Sequence, residues 1–461
     1  MQYISTRGSA PTIGFCDVLL AGLARDGGLY VPESWPKLNL DKSQVGIGYA
    51  HRAAQVMSQF VGDEIEPKVF EDLCVDAYST FRHPEVAPLV EIGQNEYLLE
   101  LFHGPTLAFK DVALQLVGKL FDYVLAKRNE RVMIVGATSG DTGGAAFDGV
   151  ASCSHVDIVM LYPNNRVSDV QRRQMTTLTA KNVHAVAIDG TFDDCQDLVK
   201  AMFNDQKFRD ANHLSAVNSI NWVRVMAQTV YYVTALEKLG KSAVFSVPTG
   251  NFGNVLAGWI AKKMGAPIEG FVVASNTNDI LTRFFESKKM ISNEVVPTLS
   301  PSMDIQVSSN FERLMFEMNG RDGGVTSKQL IDFRATGKLE VDKNIYKQWI
   351  DGVFVGRRCN DEQTLATMRD VYKQSAMLID PHTAVGLSAA RQCAGVDYPK
   401  NMPMITLATA HPAKFPDAVR RATGQTPKLP EHLANLMELP ERSVSLPNDL
   451  GAVQEFVANC H

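Results

Sequence analysis

The chemistry open to this sequence starts at Lys110, in the run Leu98-Leu-Glu-Leu-Phe-His-Gly-Pro-Thr-Leu-Ala-Phe-Lys-Asp111. Apolar residues at Val112, Ala113, Leu116, Val117, Leu120, Phe121, Val124 and Leu125 follow a 3.6-residue period, so the spacing predicts a long helix with Lys110 at its start. The first turn of a helix carries the positive end of its dipole and disfavours a cation. An amine placed there among apolar neighbours is discouraged from protonating, and a neutral lysine amine is what Schiff-base chemistry requires. Taken alone, the same residue also reads as a lysine snorkelling off a helix end.

Three loops add to this. Gly136-Ala-Thr-Ser-Gly-Asp-Thr-Gly-Gly144 follows the apolar strand Val132–Val135 and leads into a helix expected to open at Ala145. Its small residues let a ligand approach the backbone, and the hydroxyls of Thr138, Ser139 and Thr142 suit a carboxylate. As structure alone it is a Gly-rich turn with an Asx-type cap. Pro248-Thr-Gly-Asn-Phe-Gly-Asn254 lies between strand Ala243–Val247 and a helix from Val255, so its glycines form a nest of N–H donors suited to a phosphate. Asn218-Ser-Ile-Asn-Trp-Val-Arg224 opens a helical run to Leu239, where Arg224 can bring charge to the loop; the plainer reading is an N-cap with a solvent arginine. None of these is a Walker loop, since the one Gly-Lys-Ser, at 240–242, follows a helix and precedes a strand.

Two anion seats and an activated lysine suit pyridoxal phosphate, whose aldehyde takes a lysine imine and whose phosphate takes a helix N-terminus, together with an anionic substrate. His103, His382 and His411 lie near these motifs and read as structural groups.

The elements that must carry these loops are those of an α/β protein. Apolar strands at Val132–Val135, Asp157–Tyr162 and Val183–Ile188 recur with the spacing of βαβ units, about 25 residues. Further strands are expected at Ala243–Val247, Phe271–Ala274 and Met404–Ala408, all buried and parallel. Ligands then bind at the carboxyl ends of these strands. Residues 291–310 and the segment after Pro416 look irregular and could form loops over a site or domain joints.

The whole chain sets outer bounds. Its 461 residues allow more than one core, with 45% hydrophobic and 21% charged residues, ordinary for a globular enzyme. A net charge of −6 without a basic block argues against nucleic-acid binding. Seven scattered cysteines without a CxxC pair fit reduced thiols and no metal site. No signal-peptide layout or membrane-length apolar run is found, so a cytoplasmic protein without a membrane partner is expected.

Five motifs in order, at 102–111, 136–143, 217–224, 248–254 and 407–415, resemble the threonine synthase family of pyridoxal-phosphate enzymes, with the tryptophan-synthase β-type fold, fold type II. Tyr3-Ile-Ser-Thr-Arg-Gly8 and Asp26-Gly-Gly-Leu-Tyr-Val-Pro32 are similar to the N-terminal extension of one bacterial and fungal branch. The resemblance implies two mostly parallel open-sheet α/β domains plus that extension: an N-terminal domain over 1–90, a catalytic region over 91–430 with a smaller subdomain at about 125–215, and a tail over 431–461. It implies conversion of O-phospho-L-homoserine and water to L-threonine and phosphate, by a monomer or homodimer. Lys110 would carry the cofactor beside Phe109, Gly250, Asn251, Phe252, Gly253 and Asn254 would cradle its phosphate, and Thr409 would meet its ring nitrogen. Thr138, Ser139 and Thr142 would take the substrate carboxylate, and Asn218, Ser219 and Arg224 the substrate phosphate. Asp141, where other branches of the family have Asn, would stand near the cofactor's phenolic oxygen in a role left open. Activation by S-adenosylmethionine is not expected, because no long regulatory extension is seen. A dehydratase-like lyase of the same fold, or an inactive cofactor-binding relative, are the alternatives.

Overall fold

A computed structural model describes residues 1–39 and 46–460. Two sheets dominate it. The small sheet is entirely parallel, in the order Val444–Pro447, Val183–Asp189, Val156–Pro163, Val132–Ala137, Leu214–Ser215. The large sheet runs Phe354–Arg358, Ile268–Ser275, Ala243–Pro248, Met404–Ala408, Glu96–Glu100, Leu89–Gly93. Its strands are parallel except for the edge pair, where Leu89–Gly93 runs antiparallel to its neighbour. Val156–Pro163 and Ala243–Pro248 are buried along their whole length, which explains sequences that are apolar but for Asp157 and Ser246. The chain thus has the expected α/β architecture.

The N-terminal segment builds into the same apolar core as the catalytic elements. Tyr3 is its hinge pin: its hydroxyl donates to the Phe60 carbonyl at 2.7 Å and accepts from Trp222 Nε1 at 3.1 Å. Arg7 adds an ion pair to the buried Glu312 at 3.2 Å.

Three local readings change. The Gly-rich loop becomes helical at Asp141, not Ala145, because tertiary packing overrides the poor helix propensity of Thr142-Gly-Gly144. The long helix after the third loop runs Trp222–Leu239 and is capped by Asn221, whose side chain accepts from the Val223 N–H at 3.0 Å. The segment after Pro416 is not irregular throughout. It forms helix Pro416–Thr423, edge strand Val444–Pro447 and helix Leu450–Ala458, whose Val453 and Val457 pack on the core of the small sheet.

Two helices fix the site. Lys110–Arg128 and Asp141–Val150 lie side by side from a common end, with Lys110 beside Asp141 at 3.2 Å. Their backbones nearly touch eight residues further on, where a Cβ on Gly118 would sit 1.8 Å from the Gly149 carbonyl oxygen.

Candidate active site

Lys110 reaches the centre of the molecule through backbone lacing. The Phe109 N–H donates to the Thr409 carbonyl at 2.9 Å, and the His411 N–H donates to the Leu107 carbonyl at 3.0 Å. Residues just before the Lys110 helix are thereby tied to those leaving strand Met404–Ala408. The Thr409 hydroxyl has no partner among the described residues. Lys110 is 8% exposed and its amine lies 4.8 Å from the Phe109 ring centroid. Burial pushes its pKa down, outweighing the upward pull of Asp141, so the amine is eased toward its neutral form.

Asp141 is the hub. Oδ2 receives Lys110 Nζ at 3.2 Å and Ser302 Oγ at 3.5 Å, while Oδ1 receives Gln171 Nε2 at 2.9 Å and Lys414 Nζ at 3.2 Å. Burial alone would raise this carboxyl, but the charges of Lys110 and Lys414 and the Gln171 bond outweigh it and hold Asp141 ionised. Its discomfort as a buried carboxylate is therefore relieved by a second lysine, which sequence reasoning did not place in the site. Lys414 is fully buried and also donates to the Thr106 carbonyl at 2.7 Å and to Gln174 Oε1 at 2.6 Å. Gln171, Gln174 and Ser302 were missed as well. The one signal was position: Lys414 closes the last motif, and Ser302 sits in the irregular run 291–310.

His382 is buried and holds that run in place. The Ser302 N–H donates to its Nε2 at 3.2 Å, so Nδ1 carries the proton and donates to Asp380 at 2.9 Å. His103 bonds Glu100 at 2.7 Å, and His411 accepts from the Ala413 N–H at 3.2 Å, with burial pushing its pKa down to about 4. All three histidines are engaged in structural bonds.

The loop after strand Ala243–Pro248 forms the expected nest. Phe252 adopts a left-handed φ of 61°, and the N–H groups of Gly250, Asn251, Phe252, Gly253 and Asn254 meet no acceptor among the described residues. They open at the N-terminus of helix Gly253–Met264. Ser308 Oγ donates to the Gly250 carbonyl, and a Cβ on Gly250 would sit 2.5 Å from the Ser302 carbonyl oxygen. The Phe252 side chain turns away into the core against Phe311 and Phe354, so only its main chain faces the nest. Asn254 is held by the hydroxyls of Tyr231 and Tyr232, leaving its buried Nδ2 without a partner.

In the Gly-rich loop, Thr138 is first a brace. Its Oγ1 accepts from the N–H groups of Gly140 at 3.0 Å and Gly143 at 2.9 Å, leaving only its hydroxyl proton to offer. Ser139 and Thr142 are half-buried, with side chains unbonded among the described residues. Arg224, 4% exposed, donates to the Val217 carbonyl at 3.1 Å. No carboxylate pairs with it among the described residues, its Nε has no partner, and burial pulls its pKa down to about 10. A buried cation left so is prepared for an anion. Ser219 is half-buried and Asn218 exposed above it, and Asn310 links the two loops, donating from Nδ2 to the Ser219 carbonyl at 2.9 Å and from its N–H to the Asn251 carbonyl at 3.0 Å.

Comparison with known proteins bears directly on this arrangement. The sequence models described as threonine synthase N terminus, pyridoxal-phosphate dependent enzyme and threonine synthase, C-terminal match residues 2–78, 84–340 and 383–457. A threonine synthase of Pseudomonas aeruginosa is 53% identical over 99% of this chain and 98% of its own. The chain belongs to the threonine synthase family. The crystal structure of a pyridoxal-phosphate-bound threonine synthase from Brucella melitensis superposes with a TM-score of 0.96 at 50% identity, covering 100% of this chain and 99% of that one. Threonine synthase from yeast follows with a TM-score of 0.93 at 40% identity, covering 100% and 98%.

The fold is therefore fold type II, and the enzyme is a lyase of threonine biosynthesis that turns O-phospho-L-homoserine and water into L-threonine and phosphate, with pyridoxal 5'-phosphate as cofactor. The residues fit that group. A buried lysine amine, a nest of unpaired N–H groups, an orphaned Asn254 amide and a free Thr409 hydroxyl are donors awaiting a phosphorylated ring compound. Among the described residues no cluster of three or more potential ligands could hold a metal ion, and no helix is long and apolar enough to cross a membrane.

Proposed function

We propose that the substrate, O-phospho-L-homoserine, is held between two anion seats with Lys110 between them. Ser139 and Thr142, with the remaining hydroxyl proton of Thr138 and the N–H groups at the start of the Asp141 helix, receive its carboxylate. Arg224, Asn218 and Ser219 receive its phosphate. Gly250 to Asn254 cradle the cofactor phosphate through their main chain, Phe109 flanks the lysine, and Thr409 offers a neutral hydroxyl to the ring nitrogen. Asp141 lies beside the amine of Lys110. The observation that carries the reading is Arg224: a buried arginine bonded to the Val217 carbonyl, with an unpartnered Nε and no counter-charge among the described residues, is suited to an anionic substrate.

The chemistry of each step then falls to the chain's own groups. When bound, pyridoxal phosphate spreads into its ring the negative charge left on a substrate carbon that loses its proton. Lys110 Nζ, once free of the cofactor, stands where it can take the protons from Cα and from Cβ; one proton goes to Cγ after phosphate has left, making the methyl group, and one returns to Cα after water has added its hydroxyl at Cβ. A neutral Thr409 partner moderates the ring's pull compared with a carboxylate. Arg224 stabilises the growing negative charge on the departing phosphate oxygen. Residues 291–310, which back the cradle through Ser302 and Ser308, help exclude water until phosphate has left.

The domain division at about 90 and 430, a cytoplasmic location and a monomer or homodimer belong to the same proposal. The test is phosphate release from O-phospho-L-homoserine by wild type and Lys110→Ala, with borohydride fixation of the cofactor. Lys110→Ala is expected to lose both turnover and the pyridoxyl label. Retained turnover, or a label on another lysine, overturns the assignment.

A further inference from the structure

Lys414 has a hydrogen-bond arrangement that specifies its charge. Its amine faces three acceptors, the Thr106 carbonyl at 2.7 Å, Gln174 Oε1 at 2.6 Å and Asp141 Oδ1 at 3.2 Å. Gln174 is fixed in that orientation because its Nε2 donates to the same Thr106 carbonyl at 3.0 Å. Three acceptors and no donor call for three protons, so Lys414 is an ammonium ion although it is fully buried. It shares Asp141 with Lys110, one lysine on each carboxylate oxygen.

One carboxylate between two amines balances only one positive charge. Because Lys414 is the amine whose three protons are all bonded, it is the one that stays charged. Lys110 makes a single bond, to Asp141 at 3.2 Å, and is the one that can give its proton up. We propose that Lys414 is a positioning residue that takes up the charge of Asp141 and so leaves the Lys110 amine free to shed its proton. This rests on the reading of Lys110 as the cofactor lysine and extends it to a residue with no contact to substrate.

The surroundings agree. Facing the pair are Lys110 and Asp111 on the Lys110 helix, Asp141 on its own helix, and Gln171 and Gln174 on helix Asp169–Thr176. Lys414 comes from the turn Pro412–Lys414, Ser302 from the 291–310 run, His382 with Asp380 from helix Pro381–Cys393, and Arg224 from helix Trp222–Leu239. Asp111 is occupied by the N–H and hydroxyl of Thr106, and Asp380 by His382 and Thr383. Asp141 is therefore the carboxylate bonded to Lys110. Arg224 and Lys414 both act on Lys110 by repulsion, in the direction that favours loss of its proton.

The test follows the pH dependence of Lys110 itself. The full-length chain, freed of cofactor, is labelled with a trace of acetic anhydride across a pH series, and the Lys110 peptide is quantified by mass spectrometry. Lys414→Gln keeps a donor for the Thr106 carbonyl but carries no charge. It should raise the labelling midpoint of Lys110 by about one pH unit or more, the effect of leaving an opposite charge unshared. Lys414→Arg should restore a midpoint near that of wild type. In a background of Asp141→Asn, Lys414→Gln should produce no rise, because no carboxylate is left for Lys110 to balance. If Lys414→Gln fails to fold, Lys414→Met gives the same readout. An unmoved midpoint in a folded neutral variant overturns the proposal, as does lost stability with no shift, the mark of a merely structural residue. Failure of the underlying reading looks different: borohydride would then fix the pyridoxyl group of the wild-type protein on another residue, whatever the midpoint.

Discussion

Arg224→Met separates a residue kept for substrate from one kept for the fold. Burial pulls the guanidinium down to about 10. Against an ordinary value of about 12.5, at about 1.4 kcal/mol per pH unit, its charged form costs about 3.5 kcal/mol. Methionine fills similar volume without that cost, but leaves the Val217 carbonyl without its donor, a loss of about 1–3 kcal/mol. The two largely cancel, so stability read by urea titration should change little, by about 0.5–2.5 kcal/mol toward the variant. Substrate tells another story. Removing a buried charge from a phosphate should cost about 2–5 kcal/mol, or roughly 30- to 5000-fold in kcat/KM for phosphate release from O-phospho-L-homoserine. Serine, which lacks the phosphate, should be handled almost as by wild type in a keto-acid assay. Equal losses on both substrates, or a large loss of stability with phosphate release intact, would refute the reasoning and favour the dehydratase-like alternative.

Other outcomes follow from single contacts. Burial raises Asp111 to about 7 although Thr106 donates to both its oxygens. A raised carboxyl holds its proton more tightly in the native state, so its contribution to stability falls as pH rises from about 4 to about 7. Asp111→Asn should therefore gain on wild type across that window, by up to about 4 kcal/mol, and then level off; denaturant curves at pH 5 and pH 8 read this directly. Gly118→Ala forces a Cβ against the Gly149 carbonyl, backbone on backbone, and should lower stability by about 3 kcal/mol or more in urea titration. Gly250→Ala presses on the Ser302 carbonyl at 2.5 Å and should weaken cofactor retention on dialysis more than it shifts the urea midpoint.

The large elements were legible because their signals are local. Val156–Pro163 and Ala243–Pro248 announce themselves as apolar runs between turns, and Lys110–Arg128 by its stripe. The nest at 250–254 was legible for the same reason, a loop between a strand and a helix. Lys414 was not. Its burial depends on strand Met404–Ala408 lying beside the Lys110 segment, and nothing in Ala-His-Pro-Ala-Lys-Phe marks which lysine is solvated. Ser302 and Gln171 were hidden likewise, since both meet Asp141 only through tertiary packing. The early start of the Asp141 helix escaped because its glycines are poor helix formers; at Gly143 a Cβ would meet Met175 Sδ at 2.3 Å, a packing demand invisible in one dimension.

The strand Val444–Pro447 closes the small sheet, and the Leu450–Ala458 helix covers one of its faces. Both are translated after every residue of the catalytic centre. Until they emerge, Val183–Asp189 presents an open row of hydrogen-bonding groups to any passing neighbour, beside an uncovered patch of aliphatic side chains. An unpaired edge and an uncovered apolar face are thus exposed to association at the very stage when every residue of the catalytic centre has already been polymerised. A chain stopped short of Val444 should collect in inclusion bodies, and its recovery as a soluble, cofactor-loaded species would show that the small lobe finishes without its final strand.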